Sequence, residues 1–155
     1  MKFTGELPPV HRIIKKAPEN GIWEFPERMG SGVGFIYVIF DKFMKRAYLG
    51  KKNYRSMRGK NKGAEADWRN YKSSSKLLKE MYEERPLEDF EFICIEQYGM
   101  SGALSYAETW TLCFVEAPTT HNWYNKRIEK VSWNVREPVT KRHKERINEI
   151  LERMK

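Results

Sequence analysis

The chain has 155 residues, a net charge of +8 and 14% aromatic side chains. Its length suits one domain with a hydrophobic core, and a basic balance of this size indicates a polyanionic partner. Because no apolar run approaches the ~18 residues of a membrane span and the first ten residues lack an apolar signal core, a membrane protein is excluded and a cytoplasmic one is expected.

Residues 1–33 contain four prolines and four glycines, so we expect an irregular N-terminal arm. Trp23 and Phe25 are expected to attach this arm to the body. Residues 34–40 are apolar on both faces and rich in β-forming types, which predicts a central strand. A turn over 41–44 and a second strand over 45–49 follow.

The remaining elements alternate between helix and strand. Residues 50–72 are polar and basic, with partial helix expected over 67–71, and the serines at 73–75 can cap a helix that ends before Pro86. A strand is predicted over 90–98, a helix over 101–116 and a final helix after Thr140. This order predicts an α+β fold, a small three-stranded, mostly antiparallel sheet flanked by helices, with an irregular arm and a C-terminal helix.

The metal-binding residue types do not cluster in the sequence. Cys94 and Cys113 lie in apolar stretches, which predicts reduced core thiols rather than a disulfide or a zinc site. The three histidines, His11, His121 and His143, have no metal-ligand neighbours along the chain. We therefore expect no histidine-based metal site.

The excess positive charge is concentrated in residues 42–79. This segment holds thirteen lysines and arginines against two acids, a net charge of +11, so the rest of the chain is slightly acidic. Tyr54, Trp68 and Tyr71 are interleaved with these cations and could stack on bases or pack on the core. The pattern favours a groove for a phosphate backbone over an ordinary solvated face.

Two short motifs flank the predicted hairpin. Gly34-Phe35-Ile36-Tyr37 is followed, eleven residues after its tyrosine, by Tyr48-Leu49-Gly50-Lys51. The pair resembles the signature of the GIY-YIG nuclease family, with Leu49 in place of the usual isoleucine. Residues 73–78 and 90–92 are similar to the family's second helix and third strand, and Tyr124-Asn125 resembles its closing element. The resemblance covers about residues 34–128 and is closest to the phage homing-endonuclease-like branch.

The resemblance implies an Mg²⁺-dependent endodeoxyribonuclease, with Mn²⁺ as a possible substitute. It implies a nuclease domain over 34–128 between the arm (1–33) and a C-terminal extension with a helix (129–155). The expected partner is DNA, double-stranded in the first instance, in the host-cell cytoplasm if the protein is phage-encoded. One site cuts one strand, so a homodimer or two events would be needed for a double-strand break.

Each predicted catalytic residue can also be judged by its own chemistry. If the hairpin loop is 41–44, Tyr37 lies directly opposite Tyr48 on one face, as a core pair or as a site. A phenol is a poor base unless a nearby cation lowers its pKa. Glu108 falls on the same helix face as Leu104 and Leu112, where a carboxylate is costly to bury unless it is paired or binds a metal. The resemblance assigns the metal to Glu108, and a lone glutamate suits Mg²⁺.

We expect Tyr37 to accept a proton from the attacking water, Tyr48 to position that water or the phosphate, and an arginine to offset phosphate charge. Arg58 matches the family spacing, with Arg55 and Arg69 as alternatives. Asn125 would orient a ring or a phosphate, although such an asparagine is often a turn residue. The residues expected to contact nucleic acid are Lys51, Lys52, Arg55, Lys60, Lys62, Arg69 and Lys72.

Two other functions remain open at this stage. A binding module that kept the fold but lost catalysis would bind DNA in a salt-sensitive way without cutting it. A protein-interaction domain would instead use the basic loop to bind an acidic partner.

Overall fold

The computed structural model describes residues 18–56, 59–60, 62–128, 135 and 137–155. It contains three strands and three α-helices: β1 (Gly34–Asp41), β2 (Arg46–Asn53), α1 (Lys76–Glu84), β3 (Phe90–Tyr98), α2 (Ser101–Phe114) and α3 (Lys141–Arg153). The strand order is β2-β1-β3, and both pairings are antiparallel. The predicted α+β fold is therefore confirmed. His11 and Arg58 lie outside the described residues.

Strand β1 is the centre of the fold because both of its faces are covered. All eight of its residues are buried, and alternate side chains enter two separate hydrophobic clusters. Ile36 and Val38 pack with side chains of α2 and α3, whereas Phe35, Tyr37 and Ile39 enter an aromatic cluster on the opposite face. An apolar strand of this kind needs cover on both sides, as the sequence predicted.

The segment before β1 supplies part of that aromatic cover. Trp23 and Phe25 are 1% and 0% exposed, which confirms that they hold this segment against the body. The Trp23 indole N–H donates to the Trp68 carbonyl at 2.7 Å. The Glu24 backbone pairs with β3, because its N–H donates to the Phe92 carbonyl at 2.8 Å and its carbonyl accepts the Cys94 N–H at 3.0 Å.

The predicted hairpin register is wrong. Asp41 belongs to β1, and its buried carboxylate accepts the N–H groups of Phe43 and Met44 at 3.1 Å each, so the turn begins one residue later than predicted. Tyr37 therefore faces Gly50, and Tyr48 faces Ile39. The two tyrosines still share a face, but as diagonal neighbours.

Several predicted boundaries also differ from the structure. Strand β2 runs on to Asn53, because its second half pairs with the start of β1. Residues 67–71 form turns rather than helix. The predicted serine cap of α1 is confirmed, because the helix begins at Lys76 and the Ser75 hydroxyl accepts the Leu78 N–H. Helix α2 ends at Phe114, and the left-handed Glu116 (φ +54°) follows shortly after.

The two cysteines lie in different environments. Cys94 is buried, as predicted, but Cys113 is exposed near the end of α2, so its predicted core position is wrong. Both thiols are free. Across the described ranges, each helix is too short or too polar to cross a membrane.

Helix α3 is held to the core through His143. Thr111 Oγ1 donates to the Ala107 carbonyl at 2.7 Å, so it must accept from His143 Nε2, also at 2.7 Å. Nδ1 is then the acceptor for the Tyr98 hydroxyl at 3.0 Å. Burial lowers the pKa of His143 from 6.5 to about 4. The ring is therefore neutral in the folded protein at neutral pH.

Because the pKa of His143 is lower in the folded state, protonation of the unfolded chain below pH 6.5 favours unfolding. We expect the free energy of unfolding to be highest above pH 6.5 and to fall by about 2 kcal/mol between pH 7 and pH 5. Urea denaturation at the two pH values measures this difference. His143→Gln should abolish most of it, whereas the exposed His121→Gln should keep it. An equal fall in both variants would contradict this role for His143.

Candidate active site

The outer edge of β2 is covered along only part of its length. Ala47 exchanges backbone hydrogen bonds with Asn122 (2.9 Å) and Tyr124 (2.7 Å), as in a short parallel bridge. The Asn125 side chain then accepts the Leu49 N–H at 2.9 Å and donates to the Leu49 carbonyl at 2.8 Å. Within the described part of the chain, backbone pairing along this edge stops there, and the edge is open from Gly50 onward.

A cleft of about 690 Å³ lies at this open edge. Tyr37 and Tyr48 reach it from one face of the sheet, and Glu108 reaches it from α2, which packs on the other face. Asn125 also lines it. Four of the five predicted catalytic residues therefore meet in one cleft, and the fifth, Arg58, lies outside the described residues.

Tyr37 is the most deeply placed side chain of the cleft. It is 2% exposed, and its ring lies 5.1 Å from Trp23, 6.0 Å from Tyr71 and 6.4 Å from Tyr48, between centroids. The β1–β3 pairing shifts register between Ile36 and Tyr37, a feature that often re-aims a side chain beside a site. Burial, with the nearby Tyr71 phenol, raises the pKa of Tyr37 well above its ordinary value.

Gly50 has no side chain and so leaves room for the Tyr37 ring. The two residues are directly paired across β1 and β2. A Cβ atom at Gly50 would lie 2.5 Å from Tyr37 Cζ, which no side chain allows. The glycine of the second motif is therefore required by the tyrosine of the first.

Ser73 connects the two tyrosines. It is a buried non-glycine residue in the left-handed region (φ +85°), and its hydroxyl accepts the Ser75 N–H at 3.0 Å. The same hydroxyl interacts with the phenols of Tyr37 and Tyr48, and it lowers the pKa of each against the larger effect of burial. A serine has one proton to donate, so it can stabilise negative charge on only one phenol at a time.

Glu108 enters the cleft from α2, which packs on the face of the sheet opposite the two tyrosines. It is half-buried, and its negative charge contributes to the raised pKa of Tyr48, after burial. Within the described residues, no three His, Cys, Asp or Glu side chains converge to hold a metal. A single carboxylate among the hydroxyls of Ser105 and Thr109 fits a hard ion such as Mg²⁺, which keeps several waters and takes phosphate oxygens as further ligands.

The cations of the cleft come from two segments. Lys51 follows Gly50 and donates to the Ser105 hydroxyl at 2.8 Å, while Lys126 and Arg127 follow Asn125. Arg127 lines the cleft but was not among the site residues predicted from the sequence. Two basic residues directly after the Tyr-Asn pair were the available signal.

The other two arginine candidates are engaged elsewhere. Arg55 Nη1 donates to the Gly63 carbonyl at 2.9 Å. Arg69 pairs with Glu65 at 2.9 Å and lies over the Trp68 ring. Lys60 and Lys62 are exposed on the loop after β2. Lys52 and Lys72 line a second cavity beside the cleft.

Residues 22–128 match the family model described as "Putative endonuclease segE, GIY-YIG domain". The chain therefore belongs to the GIY-YIG endonuclease domain family, in its SegE group. The match includes the segment before β1 that packs on the sheet. Comparisons with curated proteins and with solved structures gave no significant match.

The contact between Tyr37 and Gly50 makes a testable prediction about stability. Gly50→Ala should lower the free energy of unfolding by about 1–3 kcal/mol, because the added methyl group overpacks the ring. Gly99→Ala is the matched control, since a Cβ there would meet only Glu137, at 3.6 Å or more. Urea denaturation of both variants measures the difference. Equal stability of the two variants would show that Tyr37 does not need this space.

Proposed function

We propose that this protein is an endonuclease that hydrolyses phosphodiester bonds of DNA in an Mg²⁺-dependent reaction. The observation that carries the proposal is the convergence of Tyr37, Tyr48 and Glu108 with three cationic side chains in one cleft. The family of the chain supports it. The attacking group is a water molecule, and the reaction breaks one phosphorus–oxygen bond.

Glu108 is the proposed ligand of the ion. Its carboxylate lies in the cleft on α2 and has hydroxyl-bearing neighbours, a donor set that suits Mg²⁺. When bound, the ion would supply Lewis-acid stabilisation of the phosphate oxygens. Within the protein itself, the rigid helix fixes the Glu108 carboxylate relative to the sheet edge.

The two tyrosines divide the work according to their exposure. Tyr48 is partly exposed to the cleft and is the better placed phenol to orient the attacking water. Burial raises the pKa of both phenols, and Tyr37, which is 2% exposed, has less access to the cleft than Tyr48. We therefore assign to Tyr37 the role of packing against Tyr48 and holding its ring in position, rather than the role of first proton acceptor.

Ser73 completes this arrangement as a positioning residue. Hydrogen bonding from Ser73 lowers the pKa of both phenols against the larger effect of burial, and the Ser73 hydroxyl accepts the Ser75 N–H at 3.0 Å. A residue that persists in a costly backbone conformation at such a point is typical of a functional site.

The cations offset the charge of the scissile phosphate. Lys51 and Arg127 line the cleft and can donate to phosphoryl oxygens, and the Lys126 ammonium group, which donates to the Trp123 carbonyl at 3.1 Å, adds positive charge. Arg58, which follows β2, remains a candidate for the same role. Asn125 acts differently from a phosphate ligand, because both polar atoms of its amide already bind Leu49. Its proposed role is to hold β2, and with it Tyr48, in place.

Nicking of supercoiled plasmid DNA with Mg²⁺ tests the proposal. Glu108→Gln should lower the nicking rate by about 100-fold or more, since a metal ligand contributes several kcal/mol. Tyr48→Phe should also lower it by roughly 100-fold, as expected for loss of the hydroxyl that orients the attacking water. Glu149→Gln removes an exposed carboxylate on α3 and should leave the rate unchanged.

Full activity of Glu108→Gln, or of the wild type in excess chelator, would contradict the metal-dependent mechanism. Salt-sensitive DNA binding with no cleavage under Mg²⁺ or Mn²⁺ would instead indicate a binding module that lacks catalysis. Failure to bind DNA at low salt would favour a protein-interaction domain.

The role of Ser73 is tested by a pair of variants without its hydroxyl. Ser73→Gly relieves the backbone strain and should be more stable than Ser73→Ala by about 1 kcal/mol. Both should nick DNA about 10-fold more slowly than the wild type, because neither can position the phenols. Thermal unfolding and the nicking assay give the two readouts. Wild-type activity in Ser73→Gly would show that the hydroxyl has no part in the reaction.

A further inference from the structure

A second cavity, of about 450 Å³, adjoins the cleft. Tyr71 and Ser74 line both cavities, so the two form one continuous depression with the Tyr71 ring between them. The second cavity is lined by three lysines, Lys52, Lys72 and Lys79, and we call it the lysine pocket. None of these three side chains lines the catalytic cleft.

The lysines of the pocket come from three different parts of the chain. Lys52 lies near the end of β2, with its Nζ atom 4.3 Å above the Tyr71 ring. Lys72 precedes α1, and its backbone carbonyl accepts the Tyr82 hydroxyl at 3.1 Å. Lys79 projects from α1 itself. Because strand, loop and helix each contribute one ammonium group, the positive charge results from tertiary structure rather than from a run of lysines.

The charges of the pocket are not neutralised within the described part of the chain. Asp67 also lines the pocket, which leaves an excess of cations. None of the ion pairs between described residues includes the three lysines. By contrast, Lys141 and Lys155 on the far helix pair with Glu145 and Glu152. A concave site with uncompensated ammonium groups is suited to an anion with several oxygen acceptors.

We propose that the lysine pocket binds a backbone phosphate of the cleaved strand, on one side of the scissile phosphate. This inference rests on the proposed function, which places the scissile phosphate in the adjoining cleft. The shared Tyr71 wall makes the two sites neighbours along one strand. Lys126 and Arg127 belong to the segment after Asn125 and line only the cleft, so the pocket defines a single flank of the substrate.

Binding is measured first, in a Glu108→Gln background without added metal, by fluorescence anisotropy of a labelled duplex at several salt concentrations. Loss of one phosphate contact should reduce the slope of log Kd against log salt by about 0.9. We expect this reduction for Lys79→Ala, with a several-fold weaker Kd. Lys141→Ala, which removes a 90% exposed lysine outside both cavities, should leave the slope unchanged.

Cleavage then locates the contact. In a duplex with one uncharged methylphosphonate linkage, the wild type should cut less at the neighbouring bond on one side only. Lys79→Ala should cut that bond equally well in the modified duplex and in the same duplex without the methylphosphonate. The variant has already lost the contact between Lys79 and the phosphate that the modification removes. Equal slopes for Lys79→Ala and Lys141→Ala, or one-sided suppression that persists in Lys79→Ala, would overturn the proposal. Absence of any cleavage would refute the proposed function, and the anisotropy slopes would still decide whether the pocket binds phosphate.

Discussion

The contact between the Tyr37 ring and the Gly50 backbone is the constraint on which the site depends. The ring occupies the space where any other residue would place its Cβ atom. Strand β2 is therefore without a side chain at the point where the cleft opens. Tyr48, two residues earlier on the same face, lies beside Tyr37 rather than opposite it, with 6.4 Å between the ring centroids. The two motifs of the sequence thus act as one packing unit.

A sheet edge allows groups from both faces to meet. Central strands separate the two faces of a sheet, but β2 has a neighbour on one side only. The segment 122–125 covers the edge as far as Leu49 and ends with the paired hydrogen bonds of Asn125. Beyond that point the tyrosines of one face and Glu108 from the helix on the other face share a cleft. Among the described residues, the covering segment therefore pairs with the first half of this edge and leaves the second half open beside the cleft.

The sequence predicted the parts of the fold that depend on hydrophobic pattern. Strands β1 and β3 and the C-terminal helix agree closely with the predictions, since burial on one or two faces fixes their periodicity. The hairpin register failed because Asp41 caps the turn through its side chain and is itself held by Arg85 at 2.7 Å, a partner 44 residues away. Ser73 could not be assigned in advance, because its importance comes from neighbours brought by tertiary structure, whereas Arg127 had a weak signal in its position directly after the Tyr-Asn pair. Glu108 was predicted because a carboxylate in an apolar stripe is visible in the sequence and because the family resemblance assigns the metal to that position.

Net charge predicted a class of partner but not the residues that face it. Within the basic segment, Arg55 and Arg69 are bound to the Gly63 carbonyl and to Glu65, so much of the guanidinium charge stabilises the loop itself. The ammonium groups that line cavities belong to lysines at the end of β2 and around the start of α1, together with Lys126, which lies far outside the basic segment. The net charge of +11 on residues 42–79 attracts a polyanion from a distance. The orientation of that polyanion depends instead on a few charges, which rigid strands and helices hold at fixed positions around the cleft.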